Sequence, residues 1–157
     1  MIYYTLYPSP VGELWLTSDG AALTGLWIEA QNPELSAALR CDDLSIFDSA
    51  RRWLEDYFTG APHEIDFPLH PDGTDFQRRV WALLLTIPYG ETTTYGFLAG
   101  QLGPKMPAQA VGQAVGRNPI SIIIPCHRVV GARGQLTGYA GGLENKKWLL
   151  HHEEDSK

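Results

Sequence analysis

At 157 residues the chain can bury a real core, and 44% apolar residues with five tryptophans and seven tyrosines exclude disorder. Its two cysteines exclude a disulfide framework and point to a reduced, intracellular setting. A net charge of −6 argues against nucleic acid until it is divided by position. Residues 1–74 hold three basic and twelve acidic side chains (net −9), residues 75–157 nine basic and six acidic (net +3). That basic half permits DNA binding without requiring it. The start, MIYYTLYPSP, has no basic segment followed by a long apolar one, so no signal peptide is expected, and no stretch has bilayer-spanning length.

In chain order, residues 2–7, 13–18 and 22–28 read as three short antiparallel strands, divided by Pro8 to Gly12 and by the hairpin pair Asp19-Gly20. Trp15 and Trp27 fit a sheet face or the core. Residues 33–58 read as helical material, with Phe47, Ala50, Trp53, Leu54, Tyr57 and Phe58 at helix-like spacing and Gly60 as the stop. Three prolines make residues 61–72 a linker with room for one short strand. His63 and His70 have no Cys or His partner at ligand spacing, so no metal is expected there.

Thr74 or Asp75 caps a helix that runs through Thr86, with Phe76, Val80, Leu83, Leu84 and Ile87 on its apolar face, and Pro88 to Gly90 stops it. Two short helices follow, over residues 93–102 and 107–116, about a turn at Gly103-Pro104, which suggests a helix-turn-helix. The second is nearly free of bulk at Ala108, Ala110, Gly112, Ala114 and Gly116, and has no Arg or Lys to read a major groove. Either it packs tightly on a neighbour, or its thin face approaches a DNA backbone from the minor groove.

Then comes NPISIIIPCHRVVG, residues 118–131. Ile120, Ile122, Ile123 and Ile124 read as a buried strand, and Pro125 ends it. Cys126 is either a small buried hydrophobe or a thiol whose ionisation His127 and Arg128 favour. Consecutive strand residues face opposite ways, so Cys126 and His127 can cooperate only if Pro125 breaks the strand. Gly131 to Gly134 reads as a turn and Tyr139 to Gly142 as a flexible loop. Residues 144–153 read as a last helix with Trp148, Leu149 and Leu150 inward, and His151-His152 as its frayed, solvated end.

NPISIIIPCHRVVG followed by GYAGGLENKKWLL resembles the active-site region of the O6-alkylguanine-DNA alkyltransferases, also called methylated-DNA–protein-cysteine methyltransferases. The similarity runs from about Gly73 to Glu153, and residues 1–72 match in outline only. The resemblance implies an α/β (α+β) protein. Residues 1–72 would form a three-stranded antiparallel sheet with a helix. Residues 73–157 would form a mainly helical DNA-binding and alkyl-transfer domain with a helix-turn-helix and an active-site strand and turn.

It further implies irreversible, single-turnover transfer of an alkyl group, methyl foremost, from O6 of guanine in double-stranded DNA to Cys126, with O4-alkylthymine a second candidate. On this resemblance Cys126 is the nucleophile and His127 the base, working through a water. Glu153 orients His127, Asn118 braces the strand, and Tyr95 donates toward the purine or crowds the phosphate. Each has a plain alternative: Asn118 as a turn residue, Tyr95 as a helix-face aromatic, Glu153 as a solvated tail carboxylate.

Tyr95, Ala108, Gln109, Ala110 and Gly112 would meet DNA in the minor groove, and Val115, Ser121, Tyr139 and Ala140 would line the substrate pocket. The resemblance implies no cofactor, no membrane and a cytoplasmic monomer. The Cys/His set that holds zinc in some members is not visible, so no structural zinc is expected. Gln109 stands where the family usually has an intercalating arginine, and the small residues Ser121 and Val115 suggest room for groups larger than methyl. The rival readings are a non-enzymatic sensor of alkylated DNA, which Cys126 argues against, and a cysteine hydrolase, which lacks a visible oxyanion hole.

Overall fold

The structure is a computed structural model and describes residues 1–157. Strands β1 (Tyr3–Ser9), β2 (Gly12–Ser18) and β3 (Leu23–Ile28) form the expected antiparallel meander. Leu14, Leu16, Leu23, Leu26 and Ile28 face the core. Trp15 pairs with Trp27 on the half-buried outer face, where Tyr4 stacks on Trp15 with ring centres 5.9 Å apart. A fourth strand, β4 (Leu39–Arg40), joins parallel to β1, giving the order β3-β2-β1-β4.

That strand corrects the helical reading of residues 33–44. Apolar helical spacing begins only at Ile46, and helix α1 runs Ser45–Phe58. Upstream, the chain satisfies its backbone against the sheet edge: Leu39 N–H donates to Ile2 O (2.9 Å) and Cys41 N–H to Tyr4 O (3.0 Å). Arg51 Nη2 reaches back from α1 to Thr5 Oγ1 (2.8 Å) and to Asp42 O (3.0 Å), fixing this edge.

Helix α2 (Asp75–Leu84) starts at Thr74, whose hydroxyl accepts from Gln77 N–H (3.1 Å) while Gln77 Oε1 accepts from Thr74 N–H (2.9 Å). This capping box satisfies two backbone donors at once. Thr93–Thr94 forms a short strand, β5, before α3 (Tyr95–Leu102), and α4 (Ala108–Gly116) follows across a five-residue connection. Trp81 Nε1 donates to Ala114 O (2.9 Å), tying α2 to α4.

Residues 120–124 are not a strand. Ile120 makes one parallel bridge to Leu26, and then the chain coils, with Ile124 N–H bonded to Ile120 O (3.0 Å). Asn118 holds the coil at both ends: its Nδ2 donates to Ile124 O (2.8 Å) and its Oδ1 accepts from Ile120 N–H (3.0 Å). Ile122 sits at φ +71°, a left-handed conformation that costs a β-branched residue roughly 1–2 kcal/mol. The apolar run reports burial correctly, but a side-chain amide that bonds backbone on both sides outcompetes a ladder here.

After Pro125 a 3-10 turn spans Cys126–Arg128 and leads into β6 (Val129–Val130), parallel to β5. Helix α5 (Leu143–Ser156) closes the chain. It is not frayed at its histidines: His152 stacks on Trp148 at 4.9 Å, and its Nε2 donates to Tyr57 O (2.7 Å). One contiguous core joins the sheet, α1, α2, α4 and α5. No helix is long and apolar enough to cross a membrane.

Candidate active site

The 3-10 turn at Cys126–Arg128 divides its chemistry, turning Cys126 away from His127 and Arg128. Cys126 lines a cavity of about 30 Å³ together with Asn118, Ser121, Val115, Tyr95, Tyr139 and Ala140. His127 and Arg128 both turn to Glu153 of α5, which is 1% exposed. The solvated-tail reading of Glu153 is therefore overturned.

Glu153 is saturated. Its Oε2 accepts from Tyr57 Oη (2.6 Å), His127 Nε2 (2.6 Å) and Arg128 Nη2 (3.1 Å); its Oε1 accepts from Arg128 Nε (2.8 Å) and Gly90 N–H (3.2 Å). Burial alone would raise its pKa, but His127 and Arg128 outweigh burial and hold the carboxyl well below the usual carboxylate range. An ionised carboxylate only accepts, so His127 carries its proton on Nε2. The basic nitrogen is then Nδ1, which is buried and has no hydrogen-bond partner in the protein.

Sequence reasoning gave Arg128 to the thiol, whereas its guanidinium is spent on Glu153 and, through Nη1, on Ile87 O (2.7 Å). The cation acting on Cys126 is Lys146, a fully buried ammonium with no carboxylate partner, bonded to Val129 O (2.7 Å) and Thr137 O (3.3 Å). Burial pushes the Cys126 thiol pKa up, and Asn118, the Lys146 charge and Tyr139 pull against it. Burial likewise lowers the Lys146 pKa, with Cys126 opposing. Lys146 and Tyr57 were missed in the sequence. The signal was present in α5, where Lys146, Leu149 and Glu153 recur at helical spacing as its buried face.

The cavity shares Tyr95, Gly112, Gly116, Gly138 and Ala140 with a wider cleft of about 600 Å³, whose lining adds Ala108, Gln109, Gln113 and Thr137. Of the residues expected at DNA, Tyr95, Ala108, Gln109 and Gly112 thus share one cleft, while Ala110 turns to a separate groove beside α2. Lys105 and Arg117 stand exposed at the two ends of α4. Val115 and Ser121 line the cavity at Cys126, as expected, and that cavity opens into the wider cleft. His63 and His70 each face a single aspartate, Asp56 at 3.0 Å and Asp19 at 3.5 Å.

Acid should loosen the fold through His127. Burial, its largest influence, puts its pKa below the ordinary 6.5, although Glu153 pulls upward. A histidine depressed in the folded state stabilises fully above the unfolded pKa of about 6.5, and that contribution is lost as pH falls below it toward the folded value. Glu153, depressed as well, loses its contribution only below about pH 4.3, its unfolded value. Thermal melts should therefore show Tm falling from pH 7 to pH 5, and less steeply in His127→Gln. Equal slopes in the two proteins would show that His127 does not titrate in this way.

A thiol, an imidazole with one free basic nitrogen and a carboxylate fixing its tautomer define a cysteine-based transfer centre. Residues 75–155 match the family model described as 6-O-methylguanine DNA methyltransferase, DNA binding domain, and residues 2–71 match that of its ribonuclease-like domain. The chain is 49% identical over 154 residues to the methylated-DNA–protein-cysteine methyltransferase of Mycobacterium tuberculosis, covering 98% of this chain and 93% of that one. It is 46% identical to the Haemophilus influenzae protein of the same name, covering 98% and 87%. The crystal structure of Mycobacterium tuberculosis OGT in complex with DNA superposes with a TM-score of 0.90 at 47% identity, covering 98% of this chain and 94% of that one. The chain belongs to the methylated-DNA–protein-cysteine methyltransferase family, whose members are transferases.

Proposed function

We propose that this protein repairs duplex DNA by moving an alkyl group, methyl foremost, from O6 of guanine to Sγ of Cys126, once and irreversibly. O4-alkylthymine is a second candidate substrate. The observation that carries the reading is Cys126 lining a small cavity at the base of a cleft walled by α4, beside a histidine whose only free nitrogen is basic.

The thiol proton passes through a water to His127 Nδ1, and Glu153 stabilises the resulting imidazolium. Lys146 favours the thiolate by its charge. The thiolate attacks the alkyl carbon, the C–S bond forms as the C–O6 bond breaks, and the electron pair stays on guanine. Its negative charge is relieved by a donor such as Tyr95 and finally by a proton. The product is a thioether with no carbonyl for water to attack, so each molecule reacts once. A thiol this deep cannot reach into a stacked duplex, so the nucleotide must rotate out. Residues 73–157 carry this work, and residues 1–72 support it.

Helix α4 is suited to the minor groove, acting as the second helix of a helix-turn-helix: its cleft face presents Ala108, Gln109 and Gly112, with Lys105 and Arg117 placed for flanking phosphates. The protein would act as a cytoplasmic monomer on chromosomal DNA. Incubation with a duplex carrying one O6-methylguanine should raise the intact mass of the protein by one methylene, stoichiometrically. Binding without any mass change would instead indicate a lesion sensor.

Gln109 gives a further expectation. Extruding a base costs a few kcal/mol, offset in part by a side chain that fills the vacated stack. A glutamine amide fills part of the gap without the charge of arginine. Gln109→Arg should bind duplex more tightly and repair it faster, and Gln109→Ala should repair it more slowly. Neither should alter the reaction with the free base O6-benzylguanine, which needs no extrusion. If the free-base rate changes as much as the duplex rate, residue 109 acts in the pocket and this docking of α4 is wrong.

A further inference from the structure

The rim of the cleft is tied across by one polar contact. Thr137, in the segment after β6, donates its hydroxyl to Tyr95 Oη of α3 at 3.0 Å. We propose that Thr137 is a positioning residue for Tyr95: it fixes the phenol so that the phenolic proton is directed into the cleft, toward the departing base. The proposal rests on the reading of Tyr95 as a donor to that base.

Both ends of the contact are held from behind. Thr137 O accepts from Lys146 Nζ (3.3 Å), and the same ammonium donates to Val129 O (2.7 Å). Val129 and Val130 pair with Thr93 and Thr94, the two residues preceding Tyr95. The segment bearing Thr137 and the helix bearing Tyr95 are therefore anchored to one frame. On its other side the Tyr95 ring lies against Gly112, where an added Cβ would stand 3.5 Å from Tyr95 Cδ1, an ordinary contact. The ring lines both the cavity at Cys126 and the outer cleft.

A phenol alone can turn its proton either way about the C–O bond. With Thr137 donating to its oxygen, one lone pair is occupied and the proton is free for another acceptor. Accepting a hydrogen bond also polarises the phenol and makes it a better donor. Such a donor matters most when the acceptor gains charge, so the effect belongs to the transfer step rather than to binding.

The test is a double-mutant cycle on single-turnover kinetics, with maximal rate and apparent affinity measured on an O6-methylguanine duplex. Thr137→Val, which keeps the shape and loses the hydroxyl, should lower the maximal rate about fivefold, the scale of one net hydrogen bond, with unchanged apparent affinity. Thr137→Ser should restore the rate. In a Tyr95→Phe background, Thr137→Val should do nothing more. A fivefold loss that persists in that background would overturn the proposal, because Thr137 would then act independently of Tyr95. A rate increase in Thr137→Val would also overturn it, showing the contact to be a latch the base must break. A change confined to affinity would make Thr137 a plain DNA contact. An unaltered maximal rate in Tyr95→Phe alone would sink the donor reading of Tyr95, and the proposal with it.

Discussion

Cys126→Ser should abolish alkyl transfer completely while leaving the affinity for lesion-bearing duplex within about twofold, because the change replaces one sulfur by an oxygen at a residue 6% exposed. An alcohol in this setting cannot replace the thiol: its proton is far harder to remove, and Lys146 favours an anion that would no longer form. Peptide mapping of the reacted wild-type protein should place the added group on Cys126 alone. Cys41 follows β4, outside the cavity that Cys126 lines. Modification at Cys41 with Cys126 intact would sink the assignment of the nucleophile.

Glu153→Gln should cost both rate and stability. The amide removes the charge that stabilises the His127 imidazolium, so the transfer rate should drop ~100-fold or more. It also strips a counter-charge from Arg128, whose side chain is 9% exposed and makes two of its bonds to this carboxylate. Breaking a buried ion pair by removing one partner costs about 3–5 kcal/mol, which for a chain of this size lowers Tm by roughly 10 °C. DNA affinity, measured well below the melting point of the variant, should hold. An unchanged rate would reduce Glu153 to a structural ion-pair partner.

The parts of this molecule legible in the sequence are those that obey a local rule. The hairpin at Asp19-Gly20, the capping box at Thr74 and Gln77 and the thin helix α4 each sit where residue chemistry alone demands them, whereas α2 ends at Leu84, before Pro88 can stop it. The break at Cys126 and His127 was legible because Pro125 signals it, and a 3-10 turn replaces the strand there. The failures share a cause. At residues 120–124 the decision lies with one amide, Asn118, bonding backbone six residues away, and periodicity does not register it. At residues 33–44 a sheet edge supplied by β1 captures a segment with no strong preference of its own. Glu153 looked solvated because its partners come from Tyr57, Gly90, His127 and Arg128, up to 96 positions distant.

Glu153 joins α1, the turn after α2, the Cys126 turn and α5 through a single carboxylate, so the same five hydrogen bonds hold the molecule together and set the protonation of its base. A substitution at position 153 is therefore expected to change stability and reactivity together. Positions outside this network, such as Gln109 on the cleft face of α4, are free of that coupling. Under the docking proposed for α4, a substitution at Gln109 would alter the grip on DNA while the thiol, the imidazole and the carboxylate stay as they are.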